Sequence, residues 1–111
     1  MDTVEHYRQL VERILLEYAA IPYSLADLQH EAVFDRARDR YLVMTVGWEQ
    51  GKRVHYTLAH VDIIGDKVWI QKDGTEEGIG EELLAAGVPR DRIVPGFRSE
   101  ARRRDMEFAV A

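Results

Sequence analysis

One change in the spacing of apolar residues constrains the fold of this chain more than any other sequence feature. Near the amino end the apolar residues recur every three or four positions, as on one face of a helix: Val4, Tyr7, Leu10, Val11, Ile14, Leu15 and Tyr18. Asp2 or Thr3 can cap this helix, and Pro22 ends it, because the residue before a proline avoids the α region. From residue 31 the spacing falls to two, which is typical of half-buried strands.

Four segments carry the period of two, and turns of two to four residues join them: 31–35, 41–49, 53–64 and 67–72. Connections this short favour an antiparallel meander. Leu42, Met44, Val46 and Trp48 share one face of the second segment. Residues 23–30 carry neither period and are predicted to form an ordered loop with room for one helical turn.

In the third segment the apolar residues switch from one face of the strand to the other. Its first apolar residues fall on even positions and its later ones on odd positions: Val54, Tyr56 and Leu58, then Ala59, Val61 and Ile63. A half-buried strand changes faces only at a bulge or strong twist, so an irregularity is predicted near residues 58–60. The alternative is a strand covered on both faces, which would also bury His60.

A second helix is predicted after Gly74. Thr75 can cap it, and its apolar face holds Ile79, Leu83 and Leu84. Glu76, Glu77, Glu81 and Glu82 would lie in its first half, and Gly87 followed by Pro89 would end it. Weak alternation through residues 106–110 predicts a terminal strand or docked arm. The expected fold is α+β in one domain over residues 1–111: an N-terminal helix, about four antiparallel strands, a second helix and this C-terminal strand or arm. Both helices should lie on one sheet face.

Composition excludes several classes of function. With 46% hydrophobic and 32% charged residues the chain is too apolar to be disordered. A net charge of −5 makes it a poor general wrapper of nucleic acid, and the lack of cysteine excludes disulfides, thiol nucleophiles and Cys-ligated zinc. Without a signal peptide or an apolar run of ~20 residues, the chain is expected to be a cytoplasmic protein with no membrane contact.

His60 and Asp62 are the strongest candidates for chemistry. They lie two apart in a strand, so the imidazole and the carboxylate share a face, as metal binding or acid–base catalysis would require. No further histidine or acid has a spacing that completes a site, so a buried, hydrogen-bonded polar pair is the favoured interpretation. No catalytic, cofactor-binding or metal-binding residue is predicted, and no cofactor.

Arginine outnumbers lysine 12 to 3, and the segment 90–104 holds six arginines. Arg98, Arg102, Arg103 and Arg104 are candidate contacts to a partner or to DNA. Pairing within the molecule or between subunits ranks first, above a protein partner and then DNA. Trp48 and Trp69 are further candidates, because an exposed strand tryptophan with Tyr41 and Tyr56 nearby would mark an interface.

Several blocks together resemble the XisI family, which is named for the fdxN element excision controlling factor of filamentous cyanobacteria. They are HVDIIGDKVWIQKDGTEEGIGEELLAAGVPRDRIVPGF (60–97), YLVMTVGW (41–48), EFAVA (107–111) and the opening VEHYRQLVERILLEYA. The likeness covers nearly the whole chain and departs from the family pattern after Phe97, where Arg98–Ser99–Glu100 follows.

The resemblance implies an accessory role without catalysis. XisI-like proteins accompany XisH-like proteins, which resemble nucleases, and both assist a separate recombinase in excising a DNA element during heterocyst differentiation. Two alternatives stay open: direct binding of the DNA backbone by the arginines, and antitoxin-like inhibition of a partner nuclease. A small hydrolase or metal enzyme centred on His60 and Asp62 ranks below them, and an open sheet face would favour a homodimer.

Overall fold

The computed structural model describes residues 3–22 and 27–111 and contains one mixed sheet with helices around it. The chain order is α1 (Thr3–Ala19), β1 (Asp27–Asp35), β2 (Arg40–Glu49), β3 (Lys52–Ile64), β4 (Lys67–Asp73), α2 (Ile79–Ala85), a 3₁₀ turn (Arg90–Arg92), β5 (Ile93–Val94) and α3 (Glu100–Arg104). The strands lie side by side in chain order; the first four are antiparallel, and β5 runs parallel to β4. The α+β prediction is confirmed, with five strands in place of about four.

Two predicted boundaries near the start of the sheet differ from the structure. Residues 27–30, predicted as part of a loop, form the first half of β1, where Asp27 pairs with Trp48 and His30 with Thr45. Their period of two is carried by polar residues, so hydrophobicity alone does not reveal it. The rest of that predicted loop, 23–26, and the predicted cap Asp2 lie outside the described residues.

The core lies between α1 and one face of the sheet. Leu10, Val11, Ile14 and Leu15 of α1 are buried. They pack with a layer of buried sheet residues, among them Tyr41, Val43, Ala59, Val61, Val68 and Ile70. Ile79 and Leu83 of α2 extend this layer. Burying one such large apolar side chain contributes about 1.5–3 kcal/mol, so the predicted helix face stabilises the fold by several kcal/mol.

The predicted irregularity in β3 is confirmed. Val43 pairs with Ala59 but Met44 pairs with Thr57, so Leu58 is an extra residue in the ladder. The Leu58 carbonyl accepts from the N–H of Gly74 at 2.8 Å. A bulge of this kind moves the apolar side chains onto the covered face. The alternative, a β3 covered on both faces, is wrong, because the His60 side chain is 31% exposed.

The helix α2 begins four residues later than Thr75. Gly78 precedes it without a side-chain cap, and the Asp73 carboxylate accepts from the N–H of Ile79 at 2.9 Å. Thr75 Oγ1 accepts from the N–H of Gly78 at 3.2 Å, so it orders the turn before the helix. Glu76 and Glu77 therefore precede the helix. The predicted end is confirmed: Gly87 has a left-handed φ of +101°.

The C-terminal segment is a docked arm after a short helix. Ser99 caps α3, which the sequence analysis did not predict, by accepting from the N–H of Arg102 at 3.3 Å. The N–H of Ala109 donates to the Ile93 carbonyl at 2.9 Å, and Lys67 Nζ donates to the main-chain oxygen of Ala111. Among residues 3–22 and 27–111, no helix is long and apolar enough to cross a membrane.

Candidate interaction surface

The sheet has a second face, opposite α1, which we call the open face. Residues that pair across antiparallel strands point to the same side of the sheet. Val43 and Ala59 point into the core, so their neighbours Leu42 and His60 point to the open face. The open face thus carries Asp27, Gln29, Glu31, Val33 and Asp35 of β1; Arg40, Leu42, Met44, Val46 and Trp48 of β2; Arg53, His55, Thr57, His60, Asp62 and Ile64 of β3; and Lys67, Trp69, Gln71 and Lys72 of β4.

The middle of the open face is apolar. Leu42, Met44 and Val46 are half-buried, and Trp48 and Val33 are 51% and 49% exposed. The strand β2 is therefore apolar on both sides, since Tyr41 and Val43 fill the core. Strands that read as continuous apolar runs are typical of sheets covered on both faces. Contiguous exposed apolar side chains mark an interaction surface.

Each predicted tryptophan lies on the open face beside an arginine. The Arg53 guanidinium lies 5.4 Å from the ring centre of Trp48, and that of Arg103 lies 5.7 Å from Trp69. The two tyrosines expected near them are elsewhere: Tyr41 is fully buried on the core side, and Tyr56 pairs with buried Thr45 on that same side. The interface signal therefore comes from the aliphatic residues of β2 and not from tyrosine.

His60 and Asp62 lie at the β4 side of the open face. His60 Nε2 is 2.7 Å from Asp62 Oδ1, while Gln71 Nε2 donates to Oδ2 at 3.2 Å and Arg40 Nε lies 3.6 Å from Oδ1. The Asp62 side chain is only 8% exposed. Both carboxylate oxygens therefore have protein partners, which orients the imidazole and leaves the carboxylate little capacity for a ligand.

Arg40 and Gln71 were missed by the sequence analysis. Arg40 pairs with Asp62 across β2 and β3, and Gln71 is the extra residue at a second register shift between β3 and β4. The strand register would have revealed Arg40, because it places this residue opposite Asp62. A single sequence does not give the register. In the part of the chain that the structure describes, no group of three His, Asp or Glu side chains could hold a metal ion.

The arginine cluster of the sequence separates into different roles. Arg103 donates from Nε to the Val110 carbonyl at 2.7 Å and from Nη1 to the Arg98 carbonyl at 2.5 Å, so it fastens the arm. Arg104 pairs with Glu100 at 2.9 Å. Arg98 lies over the Phe97 ring, and both Arg98 and Arg102 are exposed. The four arginines thus do not form one basic patch.

Other arginines of the segment 90–104 pair within the molecule, in line with the highest-ranked interpretation. Arg90 reaches Glu107 at 3.2 Å and Arg92 reaches Asp66 at 2.9 Å. The α1 acids Glu5 and Glu12 pair instead with Arg36, at 3.0 and 2.7 Å.

A cleft of about 460 Å³ lies on the core side, beside the end of α1. Tyr18, His30, Leu58, Thr75 and Glu82 are among its lining residues. Burial, and a hydrogen bond to the Glu82 carboxylate, raise the pKa of the Tyr18 hydroxyl to about 12. His30 Nδ1 lies 3.0 Å from the buried Thr45 hydroxyl, and burial lowers the pKa of His30. Tyr18 is thus bonded to Glu82 and His30 to Thr45, as core polar groups commonly are bonded to protein partners.

The comparisons with known proteins agree on one family. The model of the XisI family, described as XisI protein, matches residues 1–110. A crystal structure of a XisI-like protein from Anabaena variabilis ATCC 29413 is 34% identical, with a TM-score of 0.89, over 99% of this chain and 100% of that one. The fdxN element excision controlling factor XisI from the same organism is 35% identical, with a TM-score of 0.86 and the same coverage. No curated protein matches. With the family model matching almost from end to end, the chain belongs to the XisI family.

Proposed function

We propose that this chain is a non-enzymatic controlling factor that binds an XisH-like, nuclease-related partner in the programmed excision of a DNA element. A relative that is 35% identical over the full length bears the name of such a factor. The single observation that carries the proposal is the open face, where apolar side chains and arginine-flanked tryptophans are exposed while His60 and Asp62 are bonded to protein groups. This chemistry suits macromolecular contact better than turnover of a substrate.

The partner would contact the β4 end of the open face. Beside β4, Phe97 is 39% exposed with the Arg98 guanidinium over its ring, and Arg102 is exposed next to Arg103, which lies over Trp69. Nuclease-like active sites hold acidic side chains that bind divalent cations. Arginine pairs with carboxylates in a two-pronged geometry, so Arg98 and Arg102 are suited to such an acidic surface.

The proposal is tested by titrating a purified XisH-like protein from the same organism into this chain, using calorimetry. We expect a complex at micromolar concentrations, and at least ~tenfold weaker binding for the double variant R98E/R102E, because the arginines would oppose acidic groups. The matched control is R38E, an exposed arginine in the β1–β2 turn, which should bind as the wild type does. Absence of a complex for the wild type would overturn the proposed function. Equal affinity in the double variant would overturn only the assigned surface.

Direct binding of the DNA backbone is the second candidate, favoured by the exposure of the same two arginines. It predicts that the affinity for labelled duplex DNA, measured by anisotropy, falls as the salt concentration rises, because each neutralised phosphate releases counterions. With Arg103 and Arg104 engaged inside the molecule, the slope of log affinity against log salt concentration should correspond to about two phosphates.

A nuclease assay with the partner then distinguishes assistance from antitoxin-like inhibition. In the case of inhibition, adding this chain would suppress cleavage by the partner.

A further inference from the structure

We infer that a second copy of this chain docks on the β1–β3 part of the open face, sheet against sheet, around a two-fold axis that runs parallel to the strands over β2. This inference stands independently of the proposed partner. It rests on the apolar strip along β2 and on the arrangement of charges beside it.

The apolar strip supplies the centre of the contact. Leu42, Met44, Val46 and Trp48 follow one another along β2, and Val33 of β1 adjoins them. A two-fold axis over β2 would place the strip of one copy against the same strip of the other. Two sheets pack well in this way when their strands are nearly aligned, with the inner side chains interleaved about 10 Å apart.

The charges beside the strip are opposite on its two sides at the Trp48 end. The open-face positions of β1 hold Asp27, Glu31 and Asp35, whereas β3 holds Arg53 and His55 at that end. At the other end of β3, Asp62 is only 8% exposed and lies 3.6 Å from Arg40, so these two charges offset each other. Asp27 and Arg53 both pair with Trp48, so they lie at the same level along the strands on either side of it. Both residues are exposed.

The two-fold axis brings the acidic side of one copy's strip against the basic side of the other copy's strip. Rotation about an axis parallel to the strands exchanges the two sides of β2 and keeps the level along the strands. Asp27 of one copy then faces the second copy's Arg53, and the contact occurs twice because the interface is isologous. Gln29 faces the second copy's His55 at the next level.

The other symmetric arrangement is disfavoured. An axis perpendicular to the strands would place β1 over β1, so that Glu31 would face its own copy and Asp27 would face Asp35. Like charges facing each other across an interface oppose binding. The parallel axis also leaves β4, with Trp69, beyond the edge of the second copy's β1. The surface proposed for the partner protein therefore stays free in the dimer.

The test uses two variants, each of which should dimerise weakly alone, whereas a mixture of the two should dimerise. In D27R an arginine would face the second copy's Arg53, and in R53D an aspartate would face the second copy's Asp27. Sedimentation equilibrium should show a dimer for the wild type and at least ~tenfold weaker association for each variant alone. An equimolar mixture of the two variants restores both opposite-charge contacts and should dimerise nearly as well as the wild type.

The controls are E17R and K52D, which change the net charge by the same amounts at exposed positions outside the open-face set and should leave the dimer intact. V46E, at the proposed axis, should give a monomer whose circular dichroism is unchanged. A wild type that stays monomeric at the highest concentration reached would overturn the inference. So would variants that dimerise alone, or a mixture that fails to recover.

Discussion

Arg8 and Asp39 form a two-pronged ion pair that joins α1 to the turn between β1 and β2. Arg8 Nε donates to Oδ1 at 2.7 Å and Nη2 donates to Oδ2 at 3.1 Å. The Tyr41 hydroxyl donates to the same Oδ1 at 2.9 Å. Asp39 has a left-handed φ of +54°, a conformation that Asp and Asn adopt more readily than most residues. One aspartate thus fixes the turn and the helix above it.

The variant D39N should lower the free energy of unfolding by about 1–2 kcal/mol, because it removes a charge-assisted hydrogen-bond pair while keeping side-chain size and turn conformation. Urea denaturation at neutral pH measures the change. The matched control is D35N, whose ion pair with exposed Arg38 should matter less. Equal losses in both variants would contradict the role given to Asp39.

The same aspartate predicts a loss of stability in acid. The Arg8 guanidinium holds the pKa of Asp39 below its usual range, and the Tyr41 hydroxyl adds to the effect. A lowered pKa in the folded state means that the stabilisation is fully present above the unfolded value of about 3.9 and disappears as the pH falls through the folded value. The difference in urea midpoint between wild type and D39N should therefore vanish at the lowest pH, and a constant difference would contradict this.

His30 predicts a second, milder dependence on pH. Burial lowers its pKa, so the unfolded chain takes up a proton near pH ~6.5 while the folded chain resists. Stability is then fully present above that value and decreases as the pH falls below it. In the variant H30Q, the midpoint of thermal unfolding should change less between neutral pH and about pH 5 than it does in the wild type. The control is H55Q, at an exposed position. Parallel curves for wild type and H30Q would show that His30 is not the group responsible.

A side chain added at Gly47 is expected to cause a large loss of stability for steric reasons. Its φ is +150°, and a Cβ added there would lie 2.0 Å from the main-chain oxygen of Asp27 on the neighbouring strand. G47A should therefore separate the end of β1 from β2 and destabilise the chain by more than about 2 kcal/mol. G51A, whose Cβ would meet nothing within 4 Å, should cost only about 1 kcal/mol for its left-handed φ. Urea titrations of both variants provide the comparison.

The Arg103 side chain is expected to hold the C-terminal arm in place. R103A removes the bonds to the Val110 and Arg98 carbonyls and uncovers Trp69. Hydrogen exchange should become faster over residues 105–111, and the fluorescence of Trp69 should shift to the red as water reaches the ring. R102A, at the neighbouring exposed position, should leave both signals as they are. A slow exchange pattern retained in R103A would contradict the anchoring role.

The sequence was most informative where apolar spacing and turn chemistry acted together. Residues 4–18, the parity change before Ala59 and the stop at Gly87 all reflect local constraints, so they could be predicted. The first half of β1 could not, because it pairs with β2 while carrying little apolar pattern of its own. The strand β5 could not either, because its two apolar residues are too few to show a period.

The surface was harder to predict than the fold. The apolar set Leu42, Met44 and Val46 was visible in the sequence, but it suggested neither the core side nor the open side. The fully buried positions of β2 turned out to be Tyr41, Val43 and Thr45, one of them polar. Likewise, adjacent arginines in sequence diverged in space, since a helical turn directs Arg103 inward and Arg102 outward.

The strand order has a consequence for how this molecule reaches its native state. The first four strands each adjoin their neighbour in the chain through a short turn, so three hairpins can form one after another without closing a long loop. Only β5, which is parallel to β4, requires the longer connection through α2. Chains dominated by such local pairing fold quickly for their size. The packing of α1 against α2 joins elements much farther apart in sequence, and we expect it to come late in the folding reaction.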